Sequence, residues 1–183
     1  MATTDSNGIL FYEDTDAVSP LHTLLNTGQQ SVSDAIAARG GSIMGTPTTA
    51  AAPGTATSGT IETRDAVLGN YTFTAVAGRR YQAVVNGMLG SGSVANDLFV
   101  IKVRNGGAST PTAASTAVAS LRYPVFATGG VGQMGIPLSG TFVPGAGTVT
   151  LGIFAIRLAG TGTLILASDA VARELYAVDM GPA

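Results

Sequence analysis

The chain has 183 residues and a net charge of -2, and only 11% of its residues are charged, against roughly 25% in an ordinary soluble domain. Hydrophobic residues make up 45%, too many for a chain disordered throughout, and no apolar run is long enough for a membrane-spanning helix. Zero Cys excludes a disulfide framework, a thiolate metal site and a Cys nucleophile.

The charge is unevenly placed. Residues 1–38 hold Asp5, Glu13, Asp14, Asp16 and Asp34 and no Lys or Arg, giving -5, while residues 39–183 hold 9 basic and 6 acidic residues, giving +3. That excess is spread over a long stretch and forms no basic stripe along the sequence, so nucleic-acid binding is not expected. The acidic start reads as a solvated surface or as a docking segment for a basic partner.

In chain order, Met1 to Asp5 lacks the basic and apolar regions of a signal peptide, so none is expected. Gly8-Ile9-Leu10-Phe11-Tyr12 is a short apolar cluster, read as a single strand or a hook packed on a neighbour. Val18-Ser19-Pro20 has the form of a helix start, with Ser19 as N-cap and Pro20 at the first helical position, where its missing N–H costs nothing. Leu21, Leu24 and Leu25 follow at helical spacing, and Asn26-Thr27-Gly28 interrupts them. A second helical stretch runs from Gln29 to Ala38 and carries Val32 and Ile36. Such short amphipathic segments have no core of their own and must bury their apolar faces elsewhere. Phe11, Tyr12, Val18, Leu21, Leu24, Leu25, Val32 and Ile36 are therefore the expected anchor and oligomerisation residues. Residues 40–60 carry no charge and two prolines, the composition of a linker.

Residues 61–183 read as a β domain. Ile61 to Val67 is a first run, and Tyr71 to Val76 alternates, with Tyr71, Phe73 and Ala75 on one side. Ala77-Gly78-Arg79-Arg80 turns the chain into Tyr81 to Leu89. Leu98 to Arg104 puts Phe99, Ile101 and Val103 on one face and Lys102 and Arg104 on the other. Ala117 to Phe126 contains Pro124, which suits an edge or a bend. Gly135 to Val143, Thr148 to Leu158, Thr163 to Ala167 and Glu174 to Met180 complete the set. The expected fold class is mainly β: a C-terminal two-sheet, jelly-roll-like β-sandwich over 61–183, with the hook and helical anchor of 1–39 before it. An immunoglobulin-like sandwich is the runner-up.

Chemistry-bearing motifs are scarce. The single histidine, His22, falls in the first helical stretch, with no Gly-x-Ser-x-Gly elbow to accompany it. Glu13-Asp14-Thr15-Asp16 groups three carboxylates but lacks the calcium-loop pattern. Gly130-Val131-Gly132-Gln133-Met134-Gly135 matches a dinucleotide fingerprint in letters only, because Pro137 and β-like sequence follow where a helix is required. Glu62, Asp65, Asp97, Glu174 and Asp179 are scattered and read as solvated strand ends rather than a glycosidase pair. The expectation is a non-enzymatic protein with no cofactor, no metal, no catalytic residue and no membrane insertion.

Two groups of residues carry a family resemblance. The run Gly8-Ile9-Leu10-Phe11-Tyr12-Glu13-Asp14, then Val18-Ser19-Pro20, Leu24-Leu25-Asn26 and Ser31-Val32-Ser33-Asp34, resembles the start of virion proteins of tailed actinobacterial phages. Ala77-Gly78-Arg79-Arg80-Tyr81, Arg104-Asn105-Gly106-Gly107, Gly140-Thr141-Phe142-Val143-Pro144-Gly145 and Arg173-Glu174-Leu175-Tyr176 with Asp179-Met180-Gly181-Pro182 resemble jelly-roll-like domains of phage tail and appendage proteins. The resemblance implies a minor tail, tail-fibre or head-fibre protein on the virion surface, made in the host cytoplasm and commonly trimeric. Its N-terminus would dock on other virion proteins, and its β domain would point outward toward a host surface glycan or protein. A capsid decoration protein and a lectin-like carbohydrate-binding module are the alternatives. The resemblance supplies no catalytic residue.

Overall fold

A computed structural model describes residues 2–4, 10–12, 40–57, 59–126, 128, 134–168 and 172–183. The described residues are mainly β, arranged in several antiparallel sheets, with no helix among them. The chain divides into two compact units, essentially residues 1–40 and residues 41–181.

In the first unit, β1 (Ala2–Thr4) pairs antiparallel with β2 (Leu10–Tyr12), with Thr3 opposite Phe11 and Ala2 opposite Tyr12. Phe11 and Tyr12 are thus on a strand. Val18, Leu21, Leu24, Leu25, Val32 and Ile36, and the two helical stretches expected around them, lie outside the described residues.

The second unit begins earlier than residue 61. Within the range read as a linker, β3 (Thr48–Ala50) and β4 (Gly54–Thr57) are both paired strands. Before them, Ile43 bridges Val178, and the Met44 N–H donates to the Ala177 carbonyl at 2.9 Å. Both strands sit at the edge of their sheets. An edge strand needs few large side chains and tolerates the prolines at 47 and 53 just outside it.

The remaining strands are β5 (Thr63–Arg64), β6 (Asn70–Ala75), β7 (Arg79–Asn86), β8 (Met88–Gly92), β9 (Leu98–Asn105), β10 (Thr116–Pro124), β11 (Met134–Gly135), β12 (Leu138–Phe142), β13 (Gly147–Ala159), β14 (Leu164–Ser168) and β15 (Arg173–Pro182). Two four-stranded sheets have the orders β12-β7-β15-β3 and β11-β8-β14-β4. Each strand of one is followed or preceded in the chain by the corresponding strand of the other. The breaks fall at 51–53, 87 and 136–137, and the fourth passage runs from Ser168 to Arg173. Gly87, at φ 65, lets the chain bend between β7 and β8 where a side chain would strain it. The third sheet has the order β10-β9-β13, with β5 and β6 both along the far side of β13.

Among the described residues, with β3–β4, β5–β6, β7–β8, β11–β12 and β14–β15 each taken as one long segment beside β9, β10 and β13, the unit has eight. In one set the sixth lies beside the third, the third beside the eighth and the eighth beside the first. In the other the fifth lies beside the fourth, the fourth beside the seventh and the seventh beside the second. Pro124 ends an edge strand, as the sequence suggested.

All three sheets of this unit feed one apolar core. Tyr71 and Phe73 of β6, Tyr81 of β7, Phe99, Ile101 and Val103 of β9, Leu151 and Ile153 of β13, Leu164 and Leu166 of β14 and Leu175 of β15 are all buried in it. The ring of Phe73 packs 5.1 Å from that of Tyr81, centroid to centroid, a separation at which aromatic pairs attract beyond their burial. Close approach is needed on β8: a Cβ at Gly90 would fall 2.6 Å from Cζ of Tyr123, whose hydroxyl donates to the Gly90 carbonyl at 2.5 Å.

Candidate functional site

The carboxylates expected at solvated strand ends are instead mostly buried. Asp65 is 1% exposed, Asp97 2% and Asp179 8%. Each holds a turn or an arginine. Asp65 accepts from the Val67 and Leu68 N–H groups at 3.0 and 3.1 Å and from Arg173 Nη2 at 3.1 Å. Arg173 is fully buried and also donates to the Ala52 carbonyl, tying β15 to the chain just before β4. Asp179 accepts from Arg79 Nε at 2.6 Å and from the Gly181 N–H at 2.9 Å. A charge taken out of water needs pairing and hydrogen bonds, and Asp65 and Asp179 each have an arginine as well as backbone N–H groups.

Asp97 organises one end of the domain. Its carboxylate accepts from the Gly162 N–H at 2.5 Å and the Thr161 N–H at 3.2 Å, in the β13–β14 loop. Its carbonyl accepts from the Val125 N–H at 2.9 Å, and the Asn96 N–H donates to the Val125 carbonyl at 2.7 Å. The Thr163 N–H donates to Ser93 Oγ at 2.7 Å, and the Arg157 N–H donates to the Gly59 carbonyl at 3.2 Å. The loops after β4, β8, β10 and β13 therefore converge. They carry the two most exposed large apolar residues among the described ones, Ile61 (80%) and Phe126 (69%), with Val94 also exposed and Leu158 exposed beside them near the end of β13. Loops held by a rigid sheet frame are the usual carriers of recognition.

A second surface lies on the outer face of the β10-β9-β13 sheet. Arg122 of β10 is opposite Val100, Lys102 is opposite Ser120 and Phe154, and Phe154 is opposite Arg64. Glu62 reaches over this face. It accepts from Lys102 Nζ at 2.8 Å and from Arg104 Nη2 at 2.8 Å, with a further bond from Arg104 Nε. The Arg104 guanidinium also sits 6.0 Å from the centre of the Phe154 ring. Burial alone would raise the Glu62 pKa, but the hydrogen bonds from Arg104 and Lys102 outweigh it, and the carboxyl is held below its ordinary value of 4.5.

Among the described residues no group of three or more His, Asp or Glu side chains is placed to hold a metal ion. A lectin-like site would offer exposed aromatic rings, but of the tyrosines of the β unit Tyr71, Tyr81 and Tyr123 are core residues and Tyr176 is partly exposed. Of the expected anchor residues, Phe11 and Tyr12 fall on β2, opposite Thr3 and Ala2.

Sequence reasoning missed the Asp97 clamp and the grouping of Arg64, Lys102, Arg104 and Arg122. The alternation at Lys102 and Arg104 was the available signal for the latter. The strand pairing that adds Arg64 and Arg122 is not written locally. No family model matches the chain, and no curated protein matches it.

Proposed function

We propose that this chain is a non-enzymatic structural protein of a bacteriophage virion, a tail or fibre-like appendage that displays a jelly-roll β-sandwich. The observation that carries the reading is the order of the eight long segments. Pairing of first with eighth, eighth with third and third with sixth, against second with seventh, seventh with fourth and fourth with fifth, is the pattern of two interlocked Greek keys. Jelly rolls of this kind serve widely as capsid and lectin domains. The single core shared by all three sheets supports a two-layer arrangement in which the four-stranded pair faces the five-stranded sheet.

The acidic N-terminal segment, resembling the start of phage virion proteins, is the part that attaches to other virion proteins. Three copies then present the β domain outward. The loop end organised by Asp97, with Ile61 and Phe126 exposed, is the contact region for a host surface glycan or protein. A capsid decoration protein would use the same anchor logic, and location separates the two. Electron microscopy of particles labelled with an antibody to the β domain tests the reading. Label at the tail or fibre tips is the expected result. Label spread over the head lattice favours decoration, and unlabelled particles contradict both.

A further inference from the structure

The outer face of the β10-β9-β13 sheet collects Arg64, Lys102, Arg104 and Arg122 against one carboxylate, Glu62. The face already holds a carboxylate: Glu62, from the loop before β5, is seated between Lys102 and Arg104. Among the described residues neither flanking arginine has an acidic partner. Arg64 Nη1 donates to the neutral Asn70 Oδ1 at 3.0 Å, and exposed Arg122 on the edge strand forms no ion pair among the described residues. A row of guanidinium groups flanking a seated carboxylate is chemistry suited to further carboxylates, because the planar fork matches them bidentately.

We propose that this face is a docking surface for the acidic N-terminal residues of a second copy of the chain, with Glu13, Asp14 and Asp16 meeting Arg64 and Arg122. Charge complementarity selects this occupant. Residues 1–38 carry five carboxylates and no Lys or Arg, while the face carries four cations and one acid. Such a contact is heterologous, one patch on one copy meeting a different patch on the next. It closes into a ring if the rotation allows and otherwise extends into a chain. It concerns contacts between copies and stands apart from the attachment to other virion proteins proposed above.

The test is association of the full-length chain, followed by sedimentation over a concentration series. Wild-type protein associates at roughly 0.05 M salt and loses that association near 1 M, where the screening length falls to about 3 Å. Arg64→Glu with Arg122→Glu, and separately Glu13→Lys with Asp14→Lys and Asp16→Lys, each weaken association by roughly tenfold or more, as loss of two or three exposed ion pairs would. An equimolar mixture of the two charge-reversed proteins associates again. Circular dichroism establishes that each variant is folded. If the glutamate pair does not fold, Arg64→Gln with Arg122→Gln takes its place. The proposal is overturned if wild-type size does not respond to salt, if either variant set associates like wild type, or if the mixture fails to recover. Weakening by the face variants alone rejects this occupant. Presence in or absence from particles is a separate readout, so failure here and failure of the virion reading are distinguishable.

Discussion

Arg173 and Asp65 form the most demanding contact in the described structure, an ion pair with side chains 0% and 1% exposed. Removing one partner of such a pair strands the other charge away from water. Arg173→Met is therefore expected to lower stability by about 3–5 kcal/mol, read as a fall in the denaturant midpoint. Adding Asp65→Asn should recover part of that loss, because the stranded charge is gone while the amide oxygen still faces the Val67 and Leu68 N–H groups. Additive losses in the double variant would contradict the pairing. Glu62 gives a pH signature. Its folded pKa lies below 4.5, so between those values the unfolded chain binds more protons than the folded one. The stabilisation it gives is fully present above about pH 4.5 and is lost as pH falls through its folded pKa. Glu62→Gln should flatten the decline of stability below pH 4.5 relative to wild type, and an unchanged acid-unfolding profile would count against the network. Neither contact was legible in the sequence. Asp65 and Arg173 are 108 positions apart, and Glu62 meets Arg104 across 42.

At the scale of elements, the legible strands were those with one buried face. In β9 the alternation of Phe99, Ile101 and Val103 with Lys102 and Arg104 fixed both strand and orientation, and the first three are fully buried. In β6 the same holds for Tyr71, Phe73 and Ala75. The strands β3 and β4 were read as linker because Thr, Ala and Gly give little alternation, and their positions at sheet edges demand little of it. The reading of Tyr81 to Leu89 as one strand missed the bend at Gly87, where β7 in one sheet passes to β8 in another. The loop cluster was illegible for a different reason. Its members, 59–62, 93–97, 125–126 and 160–163, are brought together only by the strand order. Ile61 and Phe126 project from it and support no core. Replacing both with Ser should change stability by no more than about 0.5 kcal/mol for each site, yet reduce adsorption of particles carrying the variant to host cells. Normal adsorption by those particles would remove this end from the host-contact role.

At the scale of the whole molecule, the division near residue 40 matches the break in charge. The acidic stretch ends at residue 38, and the second compact unit starts at 41. The high Gly content suits the β unit's many turns, where Gly69, Gly78, Gly107 and Gly160 take positive φ between strands. Strands at the ends of sheets, such as β10 and β3, invite pairing with other chains unless they are covered or broken up. Pro124 at the end of β10 and the prolines flanking β3 and β4 limit that pairing. Quantitative peptide mass spectrometry of purified, nuclease-treated particles tests the proposed membership of a virion most directly. Peptides of this chain in a fixed, low ratio to the major capsid protein are the predicted result. Their absence from intact particles, with the chain abundant in the infected-cell lysate, would contradict it.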